Sequence, residues 1–186
     1  NLIGQQVRSL SMELSDYIKV FDDVVPPSIC KSLITTFENS KPEFVNNEGR
    51  PQFHHLALDP EMSKFLLENL RQCLSEYAIA TELTKWMPGK YAVEDFRIKK
   101  YRKATDDRFS THVDVGDHAS ARRFLAFFIY LNTIDKGGET AFPGIKTVEA
   151  KCGRVLMFPP VWTFPHEGRP AISHHKYIVG SYLHYL

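Results

Sequence analysis

The stretch "RFLAFFIYLN", Arg123 to Asn132, decides the fold. It is the most apolar run of the chain, and its apolar residues fall on both alternating faces. A strand of this kind has to be covered on both of its sides. Its uninterrupted apolar part, Phe124 to Leu131, is far too short to span a bilayer.

Working outward, the chain from residue 92 onward reads as short strands broken by glycine and proline. "DFRIKKY" (Asp95 to Tyr101), "GRVLMFP" (Gly153 to Pro159) and "KYIVGSYLHYL" (Lys176 to Leu186) are the others. Upstream the character is different. "YIKVF" (Tyr17 to Phe21) alternates like a short strand. "PPSICKSLITTF" predicts a helix, with Ser28 as N-cap and Ile29, Leu33 and Phe37 on one face. Asn39 to Arg50 is polar, carries Pro42 and Gly49, and predicts a loop. Asp59-Pro60-Glu61 is a helix start, followed by a stripe of Met62, Phe65, Leu66, Leu70, Cys73, Leu74 and Tyr77. Helices first and strands after predict an α+β fold: a β-sandwich or barrel with helices on one outer face.

The chain has 186 residues, which is one domain's worth and enough to bury a core. Its formal charge is +1, so no net field recruits nucleic acid or an anionic membrane. Three scattered cysteines, Cys30, Cys73 and Cys152, form no metal-type pair and suit a reduced, cytoplasmic setting. Asn1 is not a methionine, which is compatible with a targeting segment removed upstream.

Just ahead of the apolar run stands "STHVDVGD", Ser110 to Asp117. On a strand, residues two apart share a face, so His112 and Asp114 aim a nitrogen and an oxygen at one point. A distant histidine would complete a two-histidine, one-carboxylate set with open positions, which suits non-haem Fe(II). His166, in "FPPVWTFPHEGRP", is in a suitable context, and Lys176 follows ten residues later. A buried cation there would pair with the far carboxylate of a dicarboxylic cosubstrate.

Taken together, His112-x-Asp114, "YLN" (Tyr130 to Asn132), "GGETAFP" (Gly137 to Pro143), "GRVLMFPP", His166, Pro170 and Lys176 resemble one family. It is the prolyl-4-hydroxylase-like branch of the Fe(II)- and 2-oxoglutarate-dependent dioxygenases. The opening "YIKVFDDVVPPSICKSLI" resembles its N-terminal strand and helix. The resemblance implies a double-stranded β-helix, or jelly roll, with the N-terminal helices on one outer face. It implies a single domain over 1–186, with 1–90 mainly helical support and 91–186 carrying the core and site. It implies Fe(II) on His112, Asp114 and His166, which are therefore the catalytic set. The 2-oxoglutarate C5 carboxylate would meet Lys176, assisted by Tyr101, Tyr130 and Thr140. "RKATDDRFST", between Tyr101 and His112, is about two residues longer than the family pattern, which loosens the match at Tyr101. Tyr130 shares a strand face with Phe124, Ala126 and Phe128, so that face should line the barrel interior.

The implied activity couples oxidative decarboxylation of 2-oxoglutarate by O₂ to hydroxylation of a C–H bond, with ascorbate as a supporting reductant. The expected substrate is a prolyl residue of a peptide or protein. Asn39 to His55 and Arg102 to Thr111 would flank its groove, and Phe44, Phe53 and Phe109 are available to pack on proline rings. The alternatives are hydroxylation of a free amino acid or other small molecule, and a cupin-like metal binder without oxidation.

Other candidates carry plainer readings. His54-His55 and His174-His175 are adjacent pairs, which point opposite ways on a strand and read as surface residues. His118 and His184 have no partner in view. Arg169 rivals Lys176 as the cosubstrate cation. Arg97 and Lys99 alternate with Tyr101 and would reach an acidic substrate, but also fit a solvated strand end. "KKYRK" and Arg122-Arg123 read as solvated clusters.

Overall fold

The computed structural model describes residues 12–46 and 52–186. In chain order the first strands are β1 (Lys19–Phe21), β2 (Glu43–Asn46), β3 (Gln52–Ala57), β4 (Tyr91–Val93), β5 (Arg97–Tyr101) and β6 (Phe109–His112). Then come β7 (Arg123–Tyr130), β8 (Thr140–Phe142), β9 (Lys146–Val148), β10 (Val155–Phe158), β11 (His166–Gly168) and β12 (Lys176–Tyr185). Two helices, α1 (Pro27–Glu38) and α2 (Pro60–Ala80), lie among the first strands. The large sheet runs β1-β10-β7-β12-β5-β3-β2, with β4 also on β12, and the small sheet runs β6-β11-β8-β9. Neighbouring strands pair antiparallel throughout.

The doubly apolar stretch that opened the sequence is β7, and both its faces are covered. Leu125, Phe127 and Ile129 belong to one cluster, with Ile98, Val155, Met157, Val179 and Leu183 from the neighbouring strands. Cys30, Leu33 and Phe37 of α1 and Leu66, Leu70, Cys73, Leu74 and Tyr77 of α2 close over that cluster. Ala126, Phe128 and Tyr130 belong to a second cluster, with Tyr101, Leu156, Phe158 and Ile178, and Phe142 and Val148 of the small sheet. Strand parity thus sorts side chains onto a helix-covered outer face and an inner face turned to the small sheet.

Helix α2 starts where its signal places it: the Asp59 side chain accepts from Met62 N at 2.9 Å, and Pro60 opens the helix. Phe65 leaves the expected stripe and is 38% exposed, because the buried face turns through Leu66, Leu70 and Cys73 instead. Helix α1 begins at Pro27, with Pro26 at the cap position, so Ser28 lies inside the first turn and caps nothing. Proline suits the first helical position, because its missing N–H would have no partner inside the helix and its φ is preset.

Two expectations change. The predicted loop over Asn39 to Arg50 contains β2, whose partner is β3; residues 47–51 lie outside the described ones. Polar residues suffice there because β2 is an edge strand with one face in water. The first 90 residues are also more than helical support, since β1 pairs β10 and β3 pairs β5 within the large sheet.

Candidate active site

Strands β6 and β11 place two histidines directly opposite each other: His112 and His166 are register partners, with ring centroids 4.4 Å apart. Asp114 completes the cluster, but not by strand alternation. Strand β6 ends at His112, and the chain bends at Asp114. The bend is held by Asp114 N and Val115 N, which both donate to Pro160 O at 3.1 Å, and by Arg123 Nη1, which donates to Asp114 O at 2.9 Å. One Asp114 carboxylate oxygen lies 3.3 Å from His112 Nε2 and the other 3.4 Å from His166 Nε2. One ligand-type atom from each of the three residues lies within 4.8 Å of the others.

The tautomers follow from the second ring nitrogens. His112 Nδ1 faces Ser110 O at 2.8 Å and His166 Nδ1 faces Phe164 O at 3.1 Å. A carbonyl only accepts, so each Nδ1 carries the proton and each Nε2 turns a lone pair into the cluster. Asp114 Oδ2 and His166 Nε2 are buried without a hydrogen-bond partner among the described residues. Burial pushes His166 down to about 4, against the pull of Asp114, so its ring is neutral at pH 7. Burial alone would raise Asp114, but the two imidazoles and Lys99 more than offset it, and its carboxyl titrates below the usual range. Two imidazole nitrogens and a carboxylate, with Asp114 Oδ2 and His166 Nε2 orphaned, form a donor set that fits a divalent metal ion.

The cluster opens onto a cavity of about 370 Å³, counting its mouth. Lys176, 2% exposed, lies in its wall with Tyr101 and Thr140. Lys176 and Tyr101 are register partners on β12 and β5, and Lys176 Nζ lies 5.4 Å from the Tyr101 ring and 5.5 Å from the Tyr130 ring. Tyr130 donates to Thr140 Oγ1 at 2.7 Å. Burial brings Lys176 down to about 7, with Glu139 acting weakly the other way. Arg169 is elsewhere: it is not in the cavity wall and pairs with Glu167 at 3.1 Å.

The "GGET" turn positions Thr140 through a close backbone approach. Gly138 N donates to Pro170 O at 2.9 Å, and a side chain at Gly137 would meet Pro170 O at 2.4 Å with φ at +73°. The glycine and Pro170 are therefore two halves of one contact between the loops carrying Thr140 and His166.

Several residues read as plain surface charge do more. Lys99 lines the cavity, whereas Arg97 is exposed. Lys100 pairs with Glu38 at 2.8 Å, and Arg102 with the buried Asp107 at 2.9 Å. Arg122 is exposed, but Arg123 is half-buried, holds both Glu94 oxygens, and stacks 4.0 Å from the Tyr182 ring in the cavity wall. His184 pairs with the same Glu94. His54 and His55 are half-buried on β3, with His54 against Phe44 and His55 beside Glu43. Asn132, noticed only as part of "YLN", ties β7 to β12: Nδ2 donates to His175 O at 2.7 Å, and Oδ1 accepts from Tyr177 N at 3.0 Å. Strand spacing announces Lys99, but nothing in the sequence announces the Arg123–Glu94–His184 brace.

Comparison with known proteins adds two findings. Residues 96–184 match the family model of the 2OG-Fe(II) oxygenase superfamily. The fold is similar to a viral collagen prolyl hydroxylase from Paramecium bursaria Chlorella virus-1, at 20% identity and a TM-score of 0.69, covering 91% of this chain and 97% of that one. It is also similar to a Pseudomonas putida prolyl-4-hydroxylase, at 16% identity and a TM-score of 0.68, covering 93% and 97%. A Trichoplax adhaerens prolyl hydroxylase, in complex with a hypoxia-inducible-factor peptide fragment, matches at 15% identity and a TM-score of 0.67, covering 91% and 84%. At these identities the likeness is one of fold. No curated relative matches the chain at a significant level. The matched segment begins at β5 and holds the whole His112–Asp114–His166 cluster and Lys176, which marks the chain as a 2-oxoglutarate-dependent dioxygenase with Fe(II) as its metal.

Proposed function

We propose that residues 1–186 form one dioxygenase domain with a jelly-roll core, which hydroxylates a prolyl residue in a peptide or protein. The orphaned Asp114 Oδ2 and His166 Nε2, beside His112 and opposite a buried Lys176, carry the reading. His112, Asp114 and His166 hold Fe(II), and Lys176 receives the C5 carboxylate of 2-oxoglutarate. Bound iron supplies the activation of O₂ that couples decarboxylation of 2-oxoglutarate to C–H hydroxylation.

The chain's own groups do the rest. Ser110 O and Phe164 O fix the histidine tautomers, so both Nε2 atoms stay available as donors of electron pairs. Thr140 accepts from Tyr130 and keeps its own hydroxyl proton for a carboxylate bound at Lys176. Phe128, Ile178 and Tyr101 line the cavity and limit water around the cosubstrate. Lys176 loses its proton easily while buried alone, and a bound carboxylate restores the charge.

The prolyl assignment draws on the three prolyl hydroxylases of similar fold, one of which binds a peptide. The chain has a matching surface feature. Gln52 N donates to Arg108 O at 3.0 Å, so the β2–β3 segment and the Arg102 to Thr111 loop meet at the cavity's edge. Of the aromatics expected there, Phe53 is buried under Phe109 and Tyr101, and Phe44 shares the opposite sheet face with His54 and Lys100, which leaves Phe109 to meet a substrate. The test is mass spectrometry of proline-rich peptides incubated with enzyme, Fe(II), 2-oxoglutarate and ascorbate. The expected result is a gain of one oxygen atom on proline that disappears in His112→Ala. Succinate release stimulated by free amino acids with no peptide modified would overturn it.

A further inference from the structure

Two lysines face the cavity from adjacent strands, and the cosubstrate accounts for one. On β5 the side chains that share the inner face are Arg97, Lys99 and Tyr101, and they run from exposed through half-buried to 4% exposed. Across the ladder Tyr101 pairs with Lys176, while Lys99 pairs with Ile178, one same-face step nearer the mouth. Lys99 lines the same cavity as His112, Asp114 and His166. Its Nζ lies 5.2 Å from the Phe53 ring and 5.9 Å from the Phe109 ring, so its stem is held between aromatic walls.

Among the described residues no carboxylate lies within 4.0 Å of Lys99 Nζ. Asp114 is the strongest favourable charge on it, yet both Asp114 oxygens are turned to the histidine Nε2 atoms. Lys99 is half-buried, and an ammonium in a cavity wall without a counter-charge beside it can take one from a ligand. 2-Oxoglutarate is not that ligand. It brings two carboxylates, and the metal and Lys176 take up both. The cation left over faces the space beside the metal, where the bond to be hydroxylated has to lie.

We propose that Lys99 binds a carboxylate of the primary substrate, and so selects acidic over neutral substrates. The proposal rests on the reading of Lys176 as the cosubstrate cation. The carboxylate has two sources: the α-carboxylate of a free amino acid, or an acidic side chain next to the modified residue of a peptide.

Acid and amide pairs separate these sources. L-Proline against L-prolinamide probes the first, and a peptide with Asp-Pro against one with Asn-Pro probes the second. Binding of each is measured by calorimetry to the Fe(II)- and 2-oxoglutarate-loaded enzyme without O₂, and turnover by succinate release in air. The expected result is that one acid binds roughly 10- to 100-fold more tightly than its amide, as a charge-assisted hydrogen bond allows. Lys99→Met should abolish the difference by weakening the acid alone, Lys99→Arg should keep most of it, and 2-oxoglutarate affinity should stay the same in both. The same pairs with leucine in place of proline distinguish the two readings. A Lys99-dependent preference in the leucine series, with no proline modified, sinks the prolyl assignment and leaves Lys99 standing. Equal or undetectable binding of acid and amide in every pair overturns the proposal, as does a Lys99→Met enzyme that keeps the preference or loses 2-oxoglutarate instead.

Discussion

The two faces of the large sheet come from the same strands and differ in what they leave unsatisfied. The outer face of β7, β10 and β12 presents Phe127, Ile129, Met157, Val179 and Leu183 to α1 and α2, and everything there is closed by apolar packing. The inner face of the same sheet carries Lys99, Tyr101, Tyr130 and Lys176, and turns them toward a buried His–Asp–His cluster with orphaned atoms. Apolar burial on one side supplies stability that offsets the buried polar groups on the other. Stability and function are therefore expected to separate by strand parity, and that separation can be tested at single residues.

The largest effect is expected on the inner side. His166→Ala removes a donor from a three-donor set and should weaken Fe(II) binding by more than roughly 100-fold, since loss of a group merely supporting a ligand costs about 10- to 100-fold. An Fe(II) titration checks this, and unchanged affinity in both His166→Ala and His112→Ala would refute the ligand set. On the outer side, Phe127→Ala should cost about 3–5 kcal/mol of folding stability, because Phe127 is 1% exposed and packs on Phe96 at 5.4 Å. Urea unfolding measures it, and the folded fraction should still bind Fe(II). If Phe127→Ala and His166→Ala weaken metal binding equally, the two faces are not separable.

Lys176→Ala should weaken 2-oxoglutarate binding by roughly 100-fold or more while sparing Fe(II), since breaking a buried charge pair costs about 3–5 kcal/mol. Arg169→Ala should do neither, given its position outside the cavity wall. If Arg169→Ala shows the loss and Lys176→Ala does not, the cation is misassigned. The pH dependence sharpens the same point. Lys176 titrates at about 7 in the unliganded fold. Above that pH, binding must recover a proton, so the 2-oxoglutarate dissociation constant should be flat below pH 7 and rise about tenfold per unit above it. For the unliganded fold the sign is opposite. An unfolded lysine keeps its proton to about 10.5, so this group's penalty is full below pH 7 and shrinks as pH rises toward 10.5. Lys176→Met should flatten both profiles.

The smallest effect belongs to the outer side. Asp59→Ala, which removes the α2 cap, should cost about 1 kcal/mol and leave 2-oxoglutarate affinity alone. A change in that affinity would show that α2 communicates with the cavity.

Local pattern was enough for much of this. The period of two in β7 and β12, the Asp59 cap and the His112-x-Asp114 pair are properties of neighbouring residues, while the family resemblance joined the distant His166 and Lys176 to them. They revealed the main strands of the sheet, the buried stripe of α2 apart from Phe65, and the residues that the structure brings to one cavity. Parity also placed Lys99 and Tyr101 on one face, but no local signal says which face of a strand becomes the interior. That depended on which side α1 and α2 covered, and it turned Lys99 from a solvated strand end into a cavity wall. The bend that carries Asp114 off β6 is held by Pro160 and Arg123, and Arg123 is held by Glu94, 29 residues away. Such pairs have no sequence period, because long-range charge pairing is set by where strands end in space rather than by neighbours along the chain. The sequence by itself therefore singled out residues that the fold gathers around one cavity, and the tertiary structure decided which charges lie in its wall without a carboxylate beside them.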